Sequence, residues 1–193
     1  MPKKVDPQER RHAIAAAAVE SIAADGLEGA KLSRIARRAG VTTGAVVHYF
    51  EDKDEVLLAA LEEVARRLLA WMEGEDGRSA VDQIADALPL DPESAGEWRV
   101  WLAFWGRAAF VPALARVHRS YYDRIECALA ERLCGDREAA AAIIAAVDGI
   151  GARVSLEPER WPAERQIAVL RRLLSPLLDH KECDHAAASP ALP

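Results

Sequence analysis

Thr42, Thr43, Gly44 and Ala45 carry almost no side-chain bulk; they follow a turn glycine, Gly40, and lead into aromatic His48, Tyr49 and Phe50. Hydroxyls and bare backbone at the start of a short helix suit close approach to a nucleic acid, because helix N-termini attract phosphate and short side chains let base edges come near. Thr43 has the chemistry to bond a base or a phosphate, and Ala45 and Val47 to meet thymine methyl groups. Tyr49 and Lys53 supply a phenol and an ammonium where a sugar-phosphate backbone could be gripped. A tight turn between packed helices uses the same Gly-Ala residues, so the turn alone leaves both readings open.

A second constellation is aromatic. Trp98, Trp101 and Trp105 recur on one face of a 3.6-residue period, and Trp71 is placed to join them from an earlier helix. On the following helix Leu114, His118, Tyr121 and Ile125 form an inward stripe. An indole wall with a few polar groups suits a cationic ligand, and the same stripe also serves as plain core between antiparallel helices. Glu97, Asp82 and Asp148 could neutralise an amine, but the pattern reads each as a solvated surface charge. His180, Cys183 and His185 have ligand chemistry without a fourth ligand, in a proline-ended tail, and no metal site is expected there. No nucleophile has a base and an orienting group identifiable by spacing, and no Gly-rich phosphate loop follows a strand, so neither catalytic residues nor a cofactor is expected.

These residues must be held by helices. Asp6-Pro7-Gln8-Glu9 has a capping acid, a proline at the first helical position and a Glu three residues after the cap, which opens a helix to Asp25 with Ile14, Ala17, Ala18 and Ile22 inward. Lys31 to Ala39 is a short second helix, Gly40 turns the chain, and Thr42 or Thr43 caps a third ending near Phe50. Asp52 opens a long helix whose Leu57, Leu61, Val64, Leu68 and Trp71 share a face, broken at 73–77. Helices are expected over 80–88, 97–110, 112–134, 136–156 and 162–180. The fold class is all-α: a three-helix helix-turn-helix head, 1–52, a helical body, 53–180, and a frayed tail, 181–193.

The chain of 193 residues is 51% apolar with a formal net charge of −6. That charge is uneven: up to Phe50 there are eight Lys or Arg against five Asp or Glu, and beyond it 17 against 26. A basic head on an acidic body favours a nucleic-acid partner for the head alone. Three cysteines, an odd number without metal-type spacing, argue against a disulfide framework and suit a reducing cytoplasm. No apolar run is read as approaching the ~20 residues of a membrane span, and no signal peptide opens the chain.

The stretch LSRIARRAGVTTGAVVHYFEDKDEVL resembles the DNA-binding head of TetR-type transcriptional regulators over roughly residues 10–69. The resemblance implies DNA contacts from Thr42, Thr43, Tyr49 and Lys53, and the candidate set is completed by Ser33, Gly44, Ala45, Val47 and His48. Two positions depart from that pattern: Lys31 stands where a Thr cap is usual, and Val47 where Tyr is usual. WRVWLAFWGRAAFVPALARVHRSYYDRIE, from Trp98 to Glu126, is similar to the regulatory domain of choline-responsive, BetI-like repressors. It also implies a homodimer through the last two long helices, for which Ile143, Val147, Ile150, Val154, Ile167, Leu170 and Leu174 are the candidate face, intrachain packing being the alternative. A small-molecule effector would lie among Trp71, Trp98, Trp101, Trp105, His118 and Tyr121. The expected function is a cytoplasmic, ligand-responsive repressor that binds a palindromic operator in double-stranded DNA. A helical adaptor and a helical enzyme using the aromatic pocket are the alternatives.

Overall fold

A computed structural model describes residues 6–72 and 78–178. The described residues are helical, without strands: α1 (Pro7–Gly29), α2 (Leu32–Arg38), α3 (Thr43–Tyr49), α4 (Lys53–Met72), α5 (Ala80–Ala85), α6 (Pro92–Ala108), α7 (Pro112–Arg132), α8 (Arg137–Leu156) and α9 (Ala163–Leu178).

Local signals place most helix starts. Asp6 accepts from the backbone N–H of Gln8, Thr42 from Ala45, Ser79 from Asp82 and Asp136 from Ala139. Asp52 accepts from the Glu55 N–H at 2.8 Å, while Glu55 reaches back to the Glu51 N–H at 2.7 Å. Helix α2 starts at Lys31 without a side-chain cap. Its end is well closed: the Val41 N–H bonds the Ala36 carbonyl at 2.9 Å and Gly40 that of Arg37 at 3.3 Å, with Gly40 at φ +64°. This Schellman turn needs a left-handed residue, which Gly supplies without steric cost.

Boundaries differ in several places, among them α5, which ends at Ala85 rather than 88, and α7, which ends at Arg132 rather than 134. Backbone geometry breaks α1 at Gly26 as anticipated, although one further turn follows it. Helix α6 begins at Pro92, five residues before the expected 97, because Asp91 and Ser94 form a reciprocal capping box. Pro176 sits within the last turns of α9. The break at 73–77 and the tail 181–193, with His180, Cys183 and His185, lie outside the described residues.

Two apolar clusters hold the chain together. The first joins Ile14, Ala18 and Ile22 of α1, Ile35 of α2, Val46 of α3, Phe50, and Leu57 and Leu61 of α4 to Val100, Trp101 and Phe104 of α6 and Leu114 of α7. The head's core therefore continues into α6. The second is built by α5, the far half of α7, α8 and α9.

Ile143, Ile150, Val154, Leu170 and Leu174 are 0–6% exposed within this second core, Ile167 packs against it, and Val147 borders the aromatic cavity. The apolar spacing of the five buried residues thus serves intrachain packing, while Val147 and Ile167 are half-buried. Helix α8 also corrects the reading that no segment is span-like: Arg137–Leu156 is long and apolar enough to cross a membrane by length and composition, with mean hydropathy 1.6 and 39% of it buried. Cys127 is a free thiol and Cys134 is disulfide-bonded, against the expectation of a chain without disulfides.

Candidate DNA-reading face and effector cavity

On α3, Thr43 and Val47, and Gly44 and His48, are two i, i+4 pairs, and all four are exposed while Val46 turns inward. Val47 is 55% exposed. Thr42 and Ser33 are exposed beside this stripe, while Ala45, Tyr49 and Lys53 are half-buried. The Tyr49 ring meets His48 edge-on at 5.4 Å. Lys53 Nζ lies 3.3 Å from Glu28, Arg34 pairs with Asp25 at 2.5 Å and Arg38 with Glu20 at 3.5 Å. The nine candidate residues thus come from α2, α3 and the start of α4.

The aromatic residues line a cavity of about 280 Å³ between α4, α5, α6, α7 and α8. Trp98, Trp101 and Trp105 all border it. Trp98 donates its Nε1–H to the Ala87 carbonyl at 2.9 Å, and its ring meets Trp105 edge-on at 6.0 Å. The side chain of Trp71 lies outside the described residues.

His118 and Tyr121 require correction, because neither borders the cavity. Tyr122 does: the inward stripe of α7 runs 114, 118, 122, 125 and 129, and a 3.6-residue period accommodates either tyrosine. His118 supports it from behind, stacked on Tyr122 at 4.2 Å and on Phe104 at 6.4 Å. Tyr121 instead lies under Arg124 at 5.9 Å. Burial lowers the His118 pKa and raises that of Tyr121.

The acid is the larger correction. Asp148, read as a solvated charge, borders the cavity and accepts the Tyr122 hydroxyl proton at 2.9 Å. Burial pushes its carboxyl up to about 6, only partly offset by the Tyr122 hydrogen bond. Burial and the neighbouring carboxylate together drive the Tyr122 phenol far above its ordinary range. Trp105 Nε1 is close enough to favour the phenolate weakly, yet it is buried without a hydrogen bond of good geometry. Glu97 also borders the cavity, whereas Asp82 is a surface residue paired with Arg171 at 2.8 Å. The sequence does signal Asp148: it is the one charge between Glu138 and Arg153 in an otherwise apolar helix.

Helix α6 carries this wall and also grips the head at two points, from its middle and from its C-terminal end. Arg99 Nη1 donates to the Ala23 carbonyl of α1 at 2.7 Å. Arg107 makes a bidentate pair with Asp54 at the start of α4, at 2.9 and 2.6 Å. Both contacts join residues far apart in sequence, so no local pattern announces them.

Two family descriptions match the chain: bacterial regulatory proteins of the tetR family over residues 14–60, and the C-terminal domain of BetI-type transcriptional repressors over 77–179. The HTH-type transcriptional regulator BetI of Stenotrophomonas maltophilia is 34% identical over 178 residues, covering 86% of this chain and 91% of that one. BetI of Burkholderia mallei is 30% identical over 197 residues, covering 92% and 98%. A transcriptional regulator from Rhodococcus superposes with a TM-score of 0.79 at 33% identity, over 88% of this chain and 96% of that one. A regulator from Saccharomonospora viridis, solved in complex with choline, shares the fold with a TM-score of 0.69 at 20% identity, over 87% and 96%. These relatives are regulators, not enzymes.

Proposed function

The chain belongs to the TetR family of bacterial transcriptional regulators and carries a BetI-type repressor C-terminal domain; from that premise we propose that it acts in the cytoplasm as a dimeric repressor released from its operator by a small organic cation. The head, 1–52, reads double-stranded DNA, and the body, 53–180, binds effector and the second subunit. Thr43, Gly44, Val47 and His48 face base edges; Ser33, Thr42, Ala45, Tyr49 and Lys53 position the head on the backbone and the groove wall.

The observation that carries the effector class is Asp148, a half-buried carboxylate that borders the cavity with three indoles. A cation over an indole face gains about 0.5–1 kcal/mol when exposed and ~2 or more when desolvated, and a carboxylate supplies the countercharge. The unsatisfied Trp105 Nε1 further favours a ligand with an acceptor oxygen. The choline complex of the S. viridis regulator is consistent with such a ligand.

Dimerisation is supported by the apolar α8, of which only 39% is buried, and by its outward residues: Ala141 and Ala145 are exposed, Leu156 is 76% exposed, and Leu173 of α9 is 48% exposed. That outer face, rather than the buried Ile143 to Leu174 set, is the surface offered to a second copy.

Effector and operator are linked through α6. A cation that prefers a different seating of the indole wall also acts on Arg99 and Arg107, and so on α1 and α4. Titrating the purified protein with choline, tetramethylammonium and the neutral isostere 3,3-dimethylbutan-1-ol tests the class. The cations should shift tryptophan fluorescence and the isostere should bind at least about tenfold more weakly; equal affinity for the isostere would contradict a cation site.

A further inference from the structure

Two glycines lie close together on α8, and both look in sequence like room for a neighbouring helix. Only Gly151 is used that way. It is buried, and a Cβ built on it would press against the six-membered ring of Trp98, on Cη2, Cζ2 and Cζ3, closer than real Cβ atoms come to their neighbours. At Gly149 and at Gly106 of α6 an added Cβ meets nothing within 4 Å.

Trp98 is therefore pinned from several sides. Its pyrrole end is tied to the Ala87 carbonyl, its ring packs at a right angle to that of Trp105, and its six-membered ring rests on bare α8 backbone. Trp98 is 6% exposed, and Ile150 and Val154, flanking Gly151 on α8, are anchored in the second core. A methyl at 151 could not be relieved by moving α8 without disturbing that core. The indole can pivot about its hydrogen bond to Ala87, and the free space available to its six-membered ring is the cavity.

We infer that Gly151 is a specificity-determining position: by seating Trp98 against the α8 backbone it sets the depth of the cavity, and so the size of cation admitted. This rests on the cavity being the effector site. The residue acts through Trp98 and is a positioning residue, not a ligand contact.

The test compares wild type, Gly151→Ala and the control Gly106→Ala, an exposed helical site with open space. Crystal structures of the variants should show the Trp98 ring displaced into the cavity in Gly151→Ala alone; a ring that stays in place, or a displaced α8, would overturn the inference. Choline affinity should fall by about tenfold or more in Gly151→Ala, the scale of one extra methyl in a fitted pocket, and stay within about twofold in Gly106→Ala; wild-type affinity in Gly151→Ala would also overturn it. Should Gly151→Ala not fold, the pair Gly151→Ala/Trp98→Leu carries the test. The smaller side chain removes the clash, so the pair should fold, and its failure to fold would place the strain elsewhere and defeat the inference. A wild type that binds neither choline nor tetramethylammonium would sink the effector reading instead, with the crystallographic comparison still deciding what Gly151 does.

Discussion

A carboxyl raised to about 6 is ionised at pH 7 and mostly protonated at pH 5, and a cation binds only the ionised form well. The pKa is raised by burial, so acid favours the neutral empty site; affinity for a cation is nearly full at about pH 7 and is lost as pH falls through about 6. Choline affinity should therefore drop about tenfold between pH 7 and pH 5, and Asp148→Asn should lower affinity at pH 7 and flatten that dependence. Isothermal titration at both pH values checks this, and an unchanged slope in the variant would assign the proton elsewhere. On the DNA face, Lys53→Ala should weaken every duplex alike and reduce the salt slope by about one, less whatever the Glu28 ion pair already screens. Thr43→Ala and Val47→Ala should alter preference at defined base positions, as read by competition among duplexes; uniform weakening would move those residues to the backbone class. The capping residues Asp6, Thr42 and Asp136 are legible in sequence because a cap is decided within three residues. Tyr122 is not, and Asp148 is signalled only as a lone charge in an apolar helix, since which tyrosine faces inward, and which way an acid points, depends on how α7 and α8 rotate against α6.

Helix α6 is the element on which the account turns. One side enters the head's core through Val100 and Phe104, while its tryptophans line the cavity, and Trp101 serves both. If α6 carries the signal, Arg107→Ala should leave choline affinity nearly unchanged and raise the choline concentration needed to release DNA. Parallel fluorescence and anisotropy titrations measure the two, and equal shifts in both would mean the Asp54 pair only supports the cavity. Helix α8 splits its faces differently, with Ile143, Ile150 and Val154 inward and Ala141, Ala145 and Leu156 outward. Leu156→Glu combined with Ala145→Glu should produce monomers that still fold and bind DNA poorly, as sedimentation would show, because half-sites about a helical turn apart need two heads. A dimer undisturbed by both charges would place the interface elsewhere. The apolar spacing of α8 is visible in sequence, but an alanine-rich helix is apolar all round, so periodicity cannot say which side meets the chain's own core.

At the scale of the molecule, the division into a basic head and an acidic body is plain in the charge distribution, and so is the all-helical class, because a capping residue or an opening proline agrees with the apolar period for each long segment. What composition cannot reveal is that the head's core is not closed off: it continues from α1 and α4 into α6, so occupancy of the cavity and attitude of the head are joined by packing. The account therefore stands on coupling between two distant ligands, and coupling is reciprocal. The most direct measurement is anisotropy of the full-length protein on a duplex selected from a random pool, titrated with choline at pH 7.5. The account predicts an enriched inverted repeat, bound by two copies of the chain, whose affinity falls by about tenfold or more at saturating choline, while saturating DNA weakens choline binding by the same factor. An enriched duplex whose affinity is indifferent to cations, or a pool that yields no enriched sequence, would contradict it.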